Sequence, residues 1–178
     1  MRAFCCPGQL FKGPVEVVLS HTAESWNWKA SSCPNCGVAS VSSMEWGLVA
    51  THLNVQAGEC IKVKGKILPE AKGFAVNVGK DRSNLVLHFN PRFDSHGDVN
   101  IIVCNSMEDG MWGTEERETD FPFQRGDKTE ICISFDTAEL RVKLAGDKEI
   151  MFPNRLGLQN IEYLSVEGDF AIKAIKFS

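Results

Sequence analysis

The sequence of 178 residues lacks long hydrophobic runs and any segment with sustained helical periodicity. No apolar run approaches the roughly 20 residues that a transmembrane helix requires. Residues 1–8 lack the hydrophobic core of a secretory signal peptide. No Asn-x-Ser/Thr glycosylation acceptor occurs in the chain. We therefore expect synthesis in the cytosol and no membrane insertion.

Clusters of basic residues are also missing. The chain has 19 Lys and Arg against 23 Asp and Glu, for a net charge of −4, and no block of Lys or Arg interrupts this balance. Binding to a phosphate backbone requires a basic face, and contact with an anionic membrane requires a polybasic segment. We therefore predict no nucleic-acid partner.

The cysteines do not form a recognisable framework. Their number is seven, and an odd total without a signal peptide does not indicate a set of structural disulfides. We expect Cys60, Cys104 and Cys132 to be buried or half-buried free thiols in strands. Cys33-Pro-Asn-Cys36 has the spacing of a redox or zinc half-site. The sequence offers neither the βαβ context that the first needs nor two clear further ligands for the second.

From about Cys60 onward, apolar and polar residues alternate with a period of two. Such alternation is typical of half-buried antiparallel strands. The clearest segments are residues 61–64, 74–78, 85–93, 131–135, 140–144 and 170–172. Turns rich in Gly and Asp separate them, and many short strands divided in this way predict an all-β fold, a two-sheet antiparallel β-sandwich.

We place the single domain at residues 44–178 and treat residues 1–43 as an N-terminal extension. The extension has no strand period, and its four cysteines have no partner pattern. Met44 could itself start translation. We therefore expect the extension to be poorly ordered or absent from the native protein.

The most informative segment is Leu85-Val-Leu-His-Phe-Asn-Pro-Arg-Phe93. Read as a strand, it places His88, Asn90 and Arg92 on one face and apolar residues on the other. The polar face then presents three different hydrogen-bonding groups about 6.5–7 Å apart, which suits a polyol better than an ion. Pro91 has no N–H, so we expect the strand to lie at a sheet edge or to bulge there.

A second polar cluster follows. Residues 101–105 form an apolar strand that ends in the amide of Asn105, and Trp112 then stands beside a glycine in a polar segment. Glu115 and Arg117 are two residues apart, on one face of a strand. An indole can pack against the C–H face of a sugar, and the carboxylate can accept hydrogen bonds from hydroxyls or hold an arginine.

Three motifs together resemble the sequence signature of the galectin family in order and spacing: His88-Phe-Asn-Pro-Arg92, Val103-Cys-Asn105 and Trp112-Gly-Thr-Glu-Glu-Arg117. The resemblance covers residues 44–178. It has the character of the small homodimeric prototype galectins, of the galectin-one and avian-like kind. It implies a jelly-roll-like carbohydrate-recognition domain that binds β-galactosides, such as lactose and N-acetyllactosamine, without catalysis, metal or any other cofactor.

The resemblance also implies the carbohydrate-binding residues, which are His88, Asn90, Arg92, His96, Asn105, Trp112, Glu115 and Arg117. The first three bind the axial 4-hydroxyl of galactose, and Trp112 stacks on the sugar ring. Asn105 and Glu115 reach the 6-hydroxyl and the neighbouring sugar, Arg117 supports them, and His96 extends the groove.

The same resemblance implies partners and location. The partners are β-galactoside glycans of glycoproteins and glycolipids, crosslinked by a homodimer that forms through the terminal strands, near residues 47–53 and 171–177. The location is both cytoplasmic and extracellular, with export that needs no signal peptide.

Two other functions stay open on the residues alone. A glycoside hydrolase on a similar sandwich needs two carboxyl groups flanking the scissile bond, and only Glu115 qualifies. A protein-interaction sandwich without a sugar site is the other alternative. Asp94, His96 and Asp98 lack the spacing of a calcium loop, which predicts a solvated turn and no metal site.

Overall fold

The computed structural model describes residues 47–178 in full, and before them the backbone of three strands at residues 15–22, 25–30 and 41–44. Two antiparallel sheets pack on each other across one core, so the predicted all-β two-sheet sandwich is confirmed. Within this described part, no helix is long and apolar enough to cross a membrane.

The described residues form fifteen strands and one short 3₁₀ turn at Ala145–Asp147. The strands are β1 (Val15–Thr22), β2 (Ser25–Ala30), β3 (Val41–Met44), β4 (Gly47–Gln56), β5 (Cys60–Ile67), β6 (Phe74–Asp81), β7 (Asn84–Arg92), β8 (Ile101–Glu108), β9 (Met111–Trp112), β10 (Glu116–Glu118), β11 (Lys128–Phe135), β12 (Glu139–Lys143), β13 (Glu149–Pro153), β14 (Asn160–Gly168) and β15 (Phe170–Phe177). The segments predicted from alternation all lie within or at the ends of β5, β6, β7, β11, β12 and β15.

Within the described residues, one sheet has seven strands in the order β13-β12-β11-β5-β15-β1-β2. The other has eight, in the order β10-β8-β7-β6-β14-β4-β3, with β9 paired to β8 beside that path. β7 therefore lies in the interior of its sheet, between β6 and β8, and its outward side chains are flanked on both sides by neighbouring strands.

The core lies between the two sheets, because each strand turns alternate apolar side chains inward. In β5, Ile61, Val63 and Ile67 are fully buried while the intervening lysines are not. Beneath the eight-stranded sheet, the Phe123 ring packs edge to face against Phe74, with ring centroids 5.6 Å apart, and against Phe89 at 6.3 Å. These aromatic contacts anchor β6 and β7 from below.

The expectation of three free thiols is wrong for two of them. Cys60 and Cys132 form a disulfide across 72 residues of sequence. Cys132 pairs with Lys62 and Ser134 pairs with Cys60, so the two cysteines are diagonal neighbours on one face of β5 and β11. Cys104 is free and buried, and burial raises the pKa of its thiol to about 12, which makes it unreactive.

The extension contributes strands to both sheets, which the lack of a strand period before residue 44 did not predict. β1 pairs with β15, and β2 pairs with β1. β3 pairs with β4 at Val41–Ala50 and Met44–Gly47. An open sheet edge offers unpaired backbone groups to any extended segment, so this pairing needs no alternation of side chains. The boundary at residue 44, and the absence of residues 1–43 from the native protein, stay predictions.

Candidate functional site

Seven of the eight predicted site residues line a groove on the outer face of the eight-stranded sheet, and the eighth, Arg117, binds the lining residue Glu115. His88, Asn90 and Arg92 come from β7 and Asn105 from β8. Trp112 and Glu115 form a wall beside them. The two predicted faces of β7 are confirmed, because Leu87 and Phe89 are fully buried in the core while the polar residues line the groove.

The expectation that β7 is an edge strand or bulges at Pro91 is wrong. β7 is interior, and Pro91 pairs with Ile102 of β8 without a register shift. On the β6 side of β7, the pairs Val76–Phe89 and Gly73–Arg92 place Phe74 opposite Pro91. A residue with an N–H at position 91 would donate it to the Phe74 carbonyl. The Asn90 side chain donates to that carbonyl instead, at 2.8 Å. Asn90 thereby replaces the donor that proline lacks.

That bond also fixes the other end of the Asn90 amide. Its Oδ1 accepts from Arg92 Nε at 2.8 Å, and both residues are buried, at 9% and 8% exposure. Arg92 Nη1 donates to Asp98 Oδ2 at 2.6 Å. The guanidinium, which lines the groove, is therefore held in place by a neutral acceptor and a charged one.

Asp98 connects two arginines. Its second oxygen accepts from Arg117 Nη1 at 2.6 Å, and Arg117 also binds Glu115 Oε2 through Nε at 3.1 Å and through Nη2 at 2.7 Å. Glu115 Oε1 lies 4.0 Å from Arg92 Nη2. Hydrogen bonds from Arg117 and then Arg92 lower the pKa of Asp98. The predicted role of Glu115 in holding an arginine is met by Arg117.

Trp112 stands at the open side of the groove. It is 52% exposed, and its ring centroid is 4.8 Å from that of His88. The chain after it is held tightly, because Gly113 donates to the Ser106 carbonyl at 2.9 Å and its own carbonyl accepts from Asn105 Nδ2 at 3.0 Å. A large exposed aromatic on a fixed backbone is suited to stacking on a ligand.

Arg155 holds the same wall from the other side. The residue follows β13 of the opposite sheet, and its guanidinium donates to the Thr114 carbonyl at 2.7 Å and to Glu116 Oε1 at 2.8 Å. The guanidinium also lies over the Phe152 ring, 4.6 Å from its centroid. The backbone that carries Trp112 and Glu115 is thus fixed by contacts from both sheets.

His88 is shielded from water, and burial lowers its pKa from 6.5 to about 4. Its Nδ1 lies 2.6 Å from Asn77 Oδ1 on β6. His96 is exposed in the turn after β7, with φ at 55°, and it lines the outer end of the groove. Among the described residues, no group of three or more His, Cys, Asp or Glu side chains could hold a metal ion.

Sequence reasoning missed three residues of this site. Asp98 was expected in a solvated turn, but it is half-buried between two arginines. Asn77 stands between Val76 and Val78 on the interior strand β6. A polar residue on the outer face of such a strand could have indicated a place in the site. Arg155 gave no signal, because its contacts lie 39 and 41 residues away in sequence.

An antiparallel sandwich with a row of hydrogen-bonding side chains beside an exposed tryptophan has the build of a lectin. The chain belongs to the galactoside-binding lectin family, whose model matches residues 48–177. It is 70% identical over 135 residues to the 16 kDa beta-galactoside-binding lectin of Gallus gallus. The aligned region covers 76% of this chain and 100% of that lectin.

Two solved structures show the same likeness in three dimensions. CG-16, a homodimeric agglutinin from chicken liver, is 70% identical, with a TM-score of 0.73 over 74% of this chain and 99% of that one. A toad ovary galectin in complex with thio-digalactose is 46% identical, with a TM-score of 0.73 over 76% of this chain and 100% of that one. The predicted family and fold are therefore confirmed.

Proposed function

We propose that this protein is a β-galactoside-binding lectin that needs no metal and catalyses no reaction. The observation that carries the proposal is the row of His88, Asn90 and Arg92 on the outer face of β7, beside the exposed ring of Trp112. Two similar proteins support the proposal: the chicken 16 kDa protein is named a beta-galactoside-binding lectin, and the toad ovary galectin was solved in complex with thio-digalactose.

The row fits an axial hydroxyl above the floor of the groove. Arg92 offers the guanidinium hydrogens that Asn90 and Asp98 do not use, and His88 offers a ring nitrogen. With the 4-hydroxyl of galactose at this point, the apolar face of its ring turns toward Trp112. Asn105 and Glu115 then reach toward the 6-hydroxyl and the next sugar, and His96 borders the outer end.

The state of the carboxylates supports binding without catalysis. A glycosidase needs a carboxyl group that can donate a proton to the leaving oxygen. Asp98 is a poor donor because its two arginine partners lower its pKa. Glu115 is engaged by two nitrogens of Arg117. Arginine-bound carboxylates are suited to accepting hydrogen bonds from hydroxyls.

Calorimetric titration with lactose in the presence of EDTA tests the proposal. We expect a dissociation constant of order 10⁻⁵–10⁻³ M, because one disaccharide in an open groove makes few contacts. Cellobiose is the matched control, since it differs from lactose in the orientation of one 4-hydroxyl. Equal affinity for both sugars, or loss of lactose binding in EDTA, would contradict the proposal. A complete lack of sugar binding would favour a protein-interaction sandwich.

The lowered pKa of His88 gives the binding a defined response to acid. The neutral ring persists until the pH approaches about 4, and Asp98, whose pKa is also lowered, stays ionised over the same window. We expect lactose affinity to be flat from pH 8 to about pH 5 and to fall steeply toward pH 4. Because protonation of His88 favours the unfolded chain below its unfolded pKa of about 6.5, stability should fall in the same direction. Titrations at each pH, with the melting temperature followed in parallel, check this. A midpoint near 6.5 would show that His88 is not shielded.

We also propose that the lectin domain forms a dimer, in keeping with its likeness to the homodimeric CG-16. We place the contact of this domain at the edges of its two sheets. The strands at those edges are β4 and β15 when the extension is set aside. A two-fold dimer carries two sugar sites, which lets one particle crosslink glycans on different molecules. The cytoplasmic and extracellular location of the protein stays a prediction.

A further inference from the structure

A chain of hydrogen-bonded polar groups runs from His88 across three neighbouring strands, through two buried residues to Glu167, which is exposed and also lines the groove. His88 Nδ1 contacts Asn77 Oδ1 on β6 at 2.6 Å. Asn77 Nδ2 donates to Ser165 Oγ and to Glu167 Oε1 on β14, each at 3.0 Å. Asn77 and Ser165 are each only 5% exposed. A buried amide with all three of these contacts made has one orientation.

The chemistry of Glu167 fixes that orientation. A carboxylate can only accept, so the Asn77 atom facing it is the amide nitrogen, and the atom facing His88 is the amide oxygen. The oxygen can only accept in turn, so the hydrogen of the neutral imidazole is on Nδ1. We infer that Asn77 is a positioning residue that keeps Nε2 of His88 free of hydrogen, so that the site reads its key hydroxyl as a donor.

This inference rests on the proposed function and gives the hydrogen bond its direction. Arg92 presents hydrogens to the groove, while Asn90 Oδ1 already accepts one hydrogen bond from Arg92. A hydroxyl above the row can therefore accept from Arg92 and donate to His88 at the same time. A ligand that offers only an acceptor at this position leaves Nε2 unpaired, which discriminates against it.

The charges around His88 explain why a neutral amide suits this position. Glu167 faces the ring from β14, Arg92 from β7 and Glu115 from the Trp112 wall. Asn77 stands between Glu167 and the ring and accepts the Nδ1 hydrogen without adding charge. A carboxylate in its place would stabilise the doubly protonated ring, whose Nε2 has no free electron pair for a hydroxyl.

Two variants separate positioning from simple structure. Asn77→Leu keeps the size of the side chain but leaves Nδ1 without an acceptor, so lactose affinity at pH 7.5 should fall at least about tenfold. The double variant Asn77→Asp with Glu167→Gln keeps the net charge and the hydrogen-bond chain. At pH 8 it should bind lactose more tightly than Asn77→Leu, because Nδ1 keeps an acceptor. Its acid loss should begin at least about one pH unit higher.

The tautomer itself is measurable in the ligand-free protein from the ring ¹⁵N shifts of His88 in long-range ¹H–¹⁵N correlation spectra. We expect a hydrogen on Nδ1 and none on Nε2, and a mixture in Asn77→Leu. Asn160→Leu, which removes an amide of the same sheet outside the groove, is the control and should leave shifts and affinity unchanged.

A hydrogen on Nε2 in the original protein would overturn the inference, as would Asn77→Leu binding lactose normally. If Asn77→Leu fails to fold, the tautomer of the original protein and the acid response of the double variant still decide the question. Failure of the original protein to bind lactose would instead contradict the proposed function and leave the tautomer measurement valid.

Discussion

Arg92→Ala is expected to weaken lactose binding at least about 100-fold. The change removes the charged donors from the floor of the groove, and two charge-assisted hydrogen bonds together contribute about 3 kcal/mol or more. It also leaves Asn90 Oδ1 and one oxygen of Asp98 without their partner. Calorimetry with lactose measures the loss.

The matched controls for this change are Arg92→Lys and Arg141→Ala. Lysine keeps the charge but cannot bind Asn90 and Asp98 together as the planar guanidinium does. The lactose affinity of Arg92→Lys should therefore lie between those of the original protein and Arg92→Ala. Arg141 pairs with Glu139 on the seven-stranded sheet, away from the groove, and its loss should leave affinity unchanged. Arg92→Ala that folds and binds lactose normally would show that the ligand does not contact this row.

Removing residues 1–43 is expected to change the oligomeric state. In the full chain, β1 occupies the edge of β15 and β3 occupies the edge of β4, the two edges that we propose for self-association. We therefore expect the full chain to sediment as a monomer at micromolar concentration and residues 44–178 as a dimer. The truncated protein alone should agglutinate cells, because crosslinking requires two sites on one particle.

A full-length variant provides the control for truncation. Val17→Pro removes a backbone N–H from the middle of β1, where Val17 pairs with Ile175, and should release the β15 edge without shortening the chain. Lactose affinity per site should be the same in all three proteins. Identical sedimentation of the full chain and the truncated one would contradict this account, and a large loss of thermal stability on truncation would show that the extension belongs to the fold.

The sequence predicted the sandwich because its antiparallel strands alternate visibly. In β5 and β7, nearly every apolar residue of the alternating pattern is buried. The row on β7 was also predictable, since a single strand determines which side chains share a face. β14 was missed although it forms part of the sheet, because the two glutamates and the tyrosine in its sequence Asn160-Ile-Glu-Tyr-Leu-Ser-Val-Glu-Gly168 obscure the alternation.

Features that depend on the pairing of distant strands were beyond the sequence. The contact of Asn77 with Glu167 spans 90 residues, and the disulfide between Cys60 and Cys132 spans 72. Asp98 was misread for the same reason, since its partners Arg92 and Arg117 lie on opposite sides of it in the chain and meet only in the folded sheet. Alternation shows which face a residue occupies but not which residue lies opposite.

The bond from the Asn90 side chain to the Phe74 carbonyl couples two neighbouring positions in evolution. As long as residue 91 is proline, asparagine at 90 both completes the ladder and orients Arg92. A residue with an N–H at 91 would supply the missing donor, and the Asn90 amide would no longer be needed for the Phe74 carbonyl. Loss of the Asn90 amide while Pro91 remains would leave that buried carbonyl unpaired. The order of substitution therefore matters, and only one of the two mutational paths away from Asn-Pro avoids a destabilised intermediate.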